Sequence, residues 1–148
     1  MRACVQRVQE ASVSVENRVI GKTDKGLVIL LGITHQDTIK DAECLANKIV
    51  NLRIFGDEAN KFNFSLLDIN GQALIISQFT LYGDCRKGRR PDFTQAATPE
   101  LARELYLKFI ELVKKTGVKT AEGEFGAKML VDIHNDGPVT LILDSKNG

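Results

Sequence analysis

Four consecutive positions, Ser77-Gln78-Phe79-Thr80, place a hydroxyl, an amide, an aromatic ring and a second hydroxyl directly after the apolar run Ala73-Leu74-Ile75-Ile76. The apolar run reads as a buried strand. Polar groups at the end of such a strand must find partners or face a cavity. Two readings are open: a pocket floor whose side chains and backbone N–H groups hold a carbonyl oxygen, or hydroxyls satisfied by neighbouring backbone. In a regular strand Gln78 and Thr80 would share one face, and Ser77 and Phe79 the other.

Thr80 is a candidate nucleophile, but a hydroxyl is weak unless a base takes its proton. The chain offers His35 and His134. His134 reads as a hydrogen-bonded strand histidine and His35 as a loop residue before a helix. Their spacing places neither beside Thr80, and no Gly-x-Ser-x-Gly elbow is present. Cys85 sits among cations that favour a thiolate, but without a Cys–His pattern it reads as incidental.

The densest basic cluster follows at once: Arg86-Lys87-Gly88-Arg89-Arg90. Arginine meets phosphate with two parallel hydrogen bonds, and Gly88 permits close backbone approach. The segment therefore suits phosphate or RNA, against the plain alternative of a solvated charged loop. Neither glycine-rich nucleotide fingerprint occurs, which argues against nucleotide hydrolysis and dinucleotide binding. Farther on, Gly137-Pro138 follows a polar turn. It reads either as a trans turn proline or as a rigid dipeptide presenting its carbonyl oxygens to a ligand.

The elements that must position these residues follow from periodicity. Residues 2–33 read as all-β, with turns at Glu16-Asn17-Arg18 and Thr23 to Gly26, then a strand Leu27 to Ile33 buried on both faces. A helix opens at Asp37 or Thr38, with Ile39, Ala42, Leu45, Ala46, Ile49 and Leu52 on one stripe. After a loop, Phe62 and Phe64 alternate, and Ser65 to Ile69 reads as a short strand. Asn70-Gly71 is a strong turn signal that leads into the strand ending at Ser77.

Residues 83–97 read as a basic loop. Thr98-Pro99-Glu100 then starts a second helix, with Leu101, Leu105, Phe109, Leu112 and Val113 on its stripe and Gly117 as its stop. A short extended piece at 118–120, a strand from Met129 to His134, a turn Asn135 to Pro138 and a strand from Val139 to Leu143 complete the chain. The fold class expected is α+β: one domain over 1–148, with mostly antiparallel or mixed sheets and two long amphipathic helices packed against them.

Composition bounds the function. The chain has 148 residues, 43% hydrophobic and 26% charged, with a formal net charge of +1. Near-neutral charge means that any nucleic-acid role rests on a local patch. Three widely spaced cysteines, Cys4, Cys44 and Cys85, argue against a disulfide framework and a zinc site. Charge interrupts the apolar residues from Met1 to Arg7, unlike a signal peptide, and no apolar run is long enough to span a bilayer. A cytoplasmic location is expected.

Two segments, Ser77-Gln78-Phe79-Thr80-Leu81 and Asn135-Asp136-Gly137-Pro138-Val139-Thr140, resemble the D-aminoacyl-tRNA deacylase family, also known as the D-tyrosyl-tRNA deacylases. Arg2 to Val15, Gly26 to Gly32, Tyr82 to Arg90 and Phe125-Gly126-Ala127-Lys128-Met129 are similar to it as well. The resemblance covers essentially the whole chain. It implies hydrolysis of the ester joining a D-amino acid to the terminal adenosine of tRNA, and removal of glycine mischarged onto tRNA. It implies a homodimer with active sites at the subunit interface, no cofactor and no metal. Ser77, Gln78, Phe79 and Thr80 would form the catalytic pocket. Gly137 and Pro138, joined by a cis bond, would enter the partner's pocket as the chirality filter, and Arg86, Lys87, Arg89 and Arg90 would contact tRNA.

Thr80 is then either a nucleophile or a positioning residue beside water activated by the ribose 2′-hydroxyl. The second is preferred, because the sequence gives Thr80 no evident base. Two rivals stand: a non-catalytic tRNA-binding module, and an acyl-transfer enzyme acting on a non-RNA ester.

Overall fold

The computed structural model describes residues 1–146. Alternation of apolar and polar residues builds the first strand, β1 (Arg2–Val15), which turns through Glu16 and Asn17 into β2 (Arg18–Thr23) and then β3 (Gly26–Gly32). Both turn residues have positive φ, 49° and 63°. Strands β2 and β3 lie end to end, both antiparallel to β1: β2 pairs with residues 11–15 of β1 and β3 with residues 2–8. Helix α1 (Ile39–Val50) then crosses over. A small hairpin follows, β4 (Phe55–Gly56) and β5 (Phe62–Phe64), and the chain returns as β6 (Gln72–Ser77), parallel to β3.

Helix α2 (Pro99–Lys115) precedes β7 (Lys119–Glu122), parallel to β6. The long β8 (Leu130–Asp144) pairs antiparallel with β1. The result is the α+β fold expected: one mixed sheet and two helices.

Period-two alternation sends opposite faces of the sheet into two apolar clusters. Leu27, Ile29, Leu31, Ala73 and Ile75 face both helices and form the larger core. Val28, Leu74 and Ile76 face the other way, joined by Val8, Ala11 and Val13. Ala3 and Val5 of β1 belong to the first cluster, Ala11 and Val13 to the second. A register irregularity between Val8 and Ala11 causes this change of face, since one extra residue reverses every later side chain.

The helices match their stripes except that Ile39, expected on the α1 stripe, is exposed, and that further residues join the buried faces. Asp41, placed off the α1 stripe by sequence, is buried. Its carboxylate accepts from the backbone N–H of Thr38 (2.8 Å) and from its hydroxyl (3.0 Å), closing the first turn. On α2 the buried stripe includes Tyr106 and Ile110. The Tyr106 hydroxyl donates to the Ile75 carbonyl (2.8 Å), tying α2 to β6. That carbonyl also accepts from the Gly123 N–H (3.2 Å), so it keeps one partner without the phenol. Tyr106→Phe is therefore expected to cost about 1 kcal/mol. The corresponding fall in melting temperature is roughly 2–4 °C. Chemical denaturation should show a lower midpoint with an unchanged slope.

Two sequence expectations change. Ser65 to Ile69 is a turn, because the Asp68 carboxylate accepts from both the N–H and the hydroxyl of Ser65, each at 2.7 Å. Asn135 to Pro138 does not reverse the chain. Residues 130–144 form one strand against β1, and the register passes from Val8↔Asn135 to Gln6↔Thr140, so 136–139 loop out as a bulge.

Candidate active site

Parallel strands β3 and β6 end side by side, and ligands commonly bind beyond the carboxyl ends of such strands. The Gln78 N–H still reaches the Leu31 carbonyl (2.8 Å), which extends the ladder by one residue. The chain then tightens into a 3-10 turn over Phe79–Tyr82. Gly32 permits this: a Cβ there would lie 3.0 Å from both the Gln78 oxygen and the Leu81 Cβ. The turn overturns the alternation expected for residues 77–80. Ser77, Gln78 and Phe79 all line one cavity, while Gln78 and Thr80 stay together, with Gln78 Nε2 donating to Thr80 Oγ1 at 2.5 Å. The N–H groups of Phe79 and Thr80 stand at the start of the turn, where the turn itself supplies no acceptor.

Beside this turn lies a cavity of about 580 Å³, lined by Ser77, Gln78 and Phe79 with Leu31, Ile33, Ile76, Phe93, Ala96, Ala97, Pro99, Ala102, Phe125, Gly126, Ala127, Met129 and Val131. The size is ordinary for a small-ligand site. None of the lining side chains titrates. Thr80 is exposed, next to Phe79 on the turn but not in the lining. His35 is bonded to the Thr94 carbonyl (2.8 Å), and His134 stands 3.7 Å from Glu10. Cys85 is exposed and lines a separate polar hollow. Among the described residues no base accompanies Thr80, in agreement with the sequence.

The basic loop is a built structure. Asp84 and Asp92 exchange both backbone hydrogen bonds (2.7 and 2.9 Å), so residues 85–91 form a closed tip. Phe93, just past the closure, meets Phe79 edge-on with centroids 5.1 Å apart, linking tip to cavity. The four cations are not equivalent. Asp84 grips Arg86 through Nε and a terminal nitrogen (2.6–3.0 Å), which holds the Asp84 carboxyl at about 2. Lys87, Arg89 and Arg90 are exposed on the same tip.

Gly137 and Pro138 lie on the bulge of β8, are exposed and do not line the cavity of their own chain. Their peptide bond is cis, and Gly137 has φ +121°. The surrounding motif forms a clamp. With its amide oriented to match its neighbours, Asn135 donates to the carbonyls of Val139 (3.1 Å) and Arg7 (3.0 Å), across the base of the bulge. Asp136 accepts from Gln9 (2.9 Å) and pairs with Arg7 (3.4 Å).

Arg7, which sequence reasoning passes over, is the centre of this clamp. It donates to the carbonyls of Asp136 (3.2 Å) and Ile54 (2.6 Å) and lies against the Phe62 ring, 5.5 Å from its centroid. Nothing local in the sequence marks it, because its partners are 47 and 129 residues away.

The arrangement is thus a cavity without a titratable lining at the end of a mixed sheet, with a basic tip beside it. The family model for D-Tyr-tRNA(Tyr) deacylase matches residues 4–144. The chain is 63% identical over 146 residues to a D-aminoacyl-tRNA deacylase of Fervidobacterium nodosum, covering 99% of this chain and 98% of that protein. It is 58% identical to one of Fusobacterium nucleatum, covering 99% and 97%. Among solved structures, the c-Myc DNA unwinding element binding protein is 43% identical with a TM-score of 0.91, covering 97% of this chain and 98% of the other. A probable eukaryotic D-amino acid tRNA deacylase, 18% identical over 97% and 98% of the two chains, shares the fold with a TM-score of 0.86. The chain belongs to the D-aminoacyl-tRNA deacylase family.

Among the described residues, no helix is long and apolar enough to cross a membrane.

Proposed function

We propose that this chain hydrolyses the ester of D-aminoacyl-tRNA, releasing the D-amino acid and free tRNA, in the cytoplasm. The observation that carries the mechanism is the absence of any titratable side chain in the cavity lining. An aminoacyl ester is already activated, so positioning and charge stabilisation suffice without a protein base. The apolar walls, with Phe125 and Met129, suit the terminal adenine. The carbonyl oxygen would lie against the N–H groups of Phe79 and Thr80. The ribose 2′-hydroxyl would assist the attacking water, and Ser77, Gln78 and Thr80 would shape the pocket. The Gln78–Thr80 contact supports this assignment, because an amide N–H donates to the hydroxyl and takes no proton from it.

Chirality requires a repulsive element, since attraction alone distinguishes mirror-related substituents poorly. The exposed Gly137-Pro138 bulge stands outside its own cavity, which favours a homodimer in which each subunit closes the other's site. Two carbonyl oxygens from the partner would collide with an L side chain. Glycine has no such side chain, so glycyl-tRNA would be cleaved too. Lys87, Arg89 and Arg90 would meet tRNA phosphates, and Arg86, held by Asp84, would contact tRNA beside them.

Incubation with D-aminoacyl-, glycyl- and L-aminoacyl-tRNA tests this reading. Rapid ester loss from the first two and little from the third is expected. Retention of tRNA with no ester loss would instead favour a binding module. Thr80→Ala should keep kcat within about tenfold of the parent, the loss of one positioning contact. A fall of the order of 10⁴ or more would restore Thr80 as nucleophile.

A further inference from the structure

Residues 93–97 form a wall with two sides. Phe93, Ala96 and Ala97 face the apolar cavity, whereas Thr94 and Gln95 face a polar cleft. The cleft consists of two adjoining hollows, about 610 and 400 Å³, that share Arg2, Tyr82 and Gln95. Tyr82 is its buried floor, and the Arg2 guanidinium lies over the Tyr82 ring, 4.6 Å from the centroid. Arg2 is fixed there by Asp144 (3.0 Å) and the Leu81 carbonyl (3.3 Å), and its side chain stays 43% exposed. Arg86, fixed by Asp84, borders the same space.

The chemistry of this cleft differs from that of the basic tip. Each guanidinium is answered by a carboxylate, and Lys146, which also lines the cleft, is paired with Asp41, so the cleft offers donors and acceptors together with little net charge. A phosphate gains little there. A nucleobase edge, which both donates and accepts, fits well. Cytosine in particular presents an amino group for a carboxylate and acceptors for amide or guanidinium N–H groups. The exposed plane of Arg2 is a stacking surface for a base from a single strand. The cleft is also within one nucleotide's reach of the ester site. Phe79 lines the cavity, and Tyr82 lies one 3-10 turn later, about 6 Å along the axis.

We propose that this cleft receives the cytidine immediately 5′ of the terminal adenosine, read by Gln95, Arg2, Arg86 and their paired carboxylates. The proposal rests on the deacylase reading above. It divides the tRNA end among three surfaces: adenosine in the apolar cavity, the preceding base in the polar cleft, and phosphates on Lys87, Arg89 and Arg90.

The test compares kcat/KM for three D-aminoacyl esters: of adenosine, of the trinucleotide CCA, and of CCA with the middle base removed. Wild type should prefer CCA over the other two by about tenfold or more. Gln95→Ala and Arg86→Ala, both at exposed positions, should each reduce the ratio of CCA to adenosine activity at least fivefold. Equal wild-type activity on all three esters would overturn the proposal, as would an unchanged ratio in both variants. If wild type cleaves none of the D-esters, the deacylase reading itself fails, and the cleft assignment with it.

Discussion

Replacing the 2′-hydroxyl of the terminal adenosine by hydrogen, with the D-amino acid on the 3′-oxygen, should lower kcat about 10²–10⁴-fold, the range lost when a positioned acid–base group is removed. No residue of the cavity lining can take its place, because none titrates. His35 is bonded to the Thr94 carbonyl and His134 stands beside Glu10, and among the described residues the polar group hydrogen-bonded to Thr80 Oγ1 is the amide of Gln78, a donor. If the substrate supplies the only such group, the pH–rate profile should also lack an inflection near 6.5, where an ordinary histidine titrates. Single-turnover hydrolysis of the deoxy and ribo esters, followed from pH 5 to pH 9, checks both expectations. Undiminished turnover of the deoxy ester would remove the substrate-assisted route.

The same absence of acid–base machinery is legible in the sequence, for a physical reason. A catalytic dyad needs a nucleophile and a base, and two histidines are few enough to consider one at a time. Ser77 is legible as the end of a buried strand because the preceding apolar run is short and bounded. The turn that follows is not. Nothing in Phe79-Thr80-Leu81-Tyr82 marks a 3-10 turn; the room for it comes from Gly32, far away in sequence, whose missing side chain lets the turn settle against β3. The bulge at 136–139 reads in sequence as a chain reversal for a related reason. Asn, Asp, Gly and Pro are turn residues, and only the pairing of β8 with β1 on both sides of them shows that the strand continues. Arg7 has no local signature at all, being one charged residue on an alternating strand.

If the Gly137-Pro138 bulge is the chirality filter proposed above, Arg7 positions it, and substituting Arg7 should change selectivity more than folding. Its fork spans two carbonyls on separate segments, Ile54 O and Asp136 O, immediately before the Gly137-Pro138 tip. A lysine ammonium is a single point charge and cannot span both in the same plane. Arg7→Lys should therefore behave much like Arg7→Ala. Released from the clamp, the bulge would shift, and a displacement of about 1 Å at a reacting centre can cost 10²-fold. The ratio of D- to L-aminoacyl-tRNA kcat/KM is expected to fall tenfold or more in both variants, with glycyl-tRNA hydrolysis falling less. Gly137→Ala should act in the same direction. Its backbone has φ +121°, and the new Cβ would lie 2.9 Å from the Arg7 guanidinium and 3.0 Å from the Val139 side chain. A purely structural Arg7 would instead lower the melting temperature and all three activities in proportion, leaving the D-to-L ratio at its wild-type value.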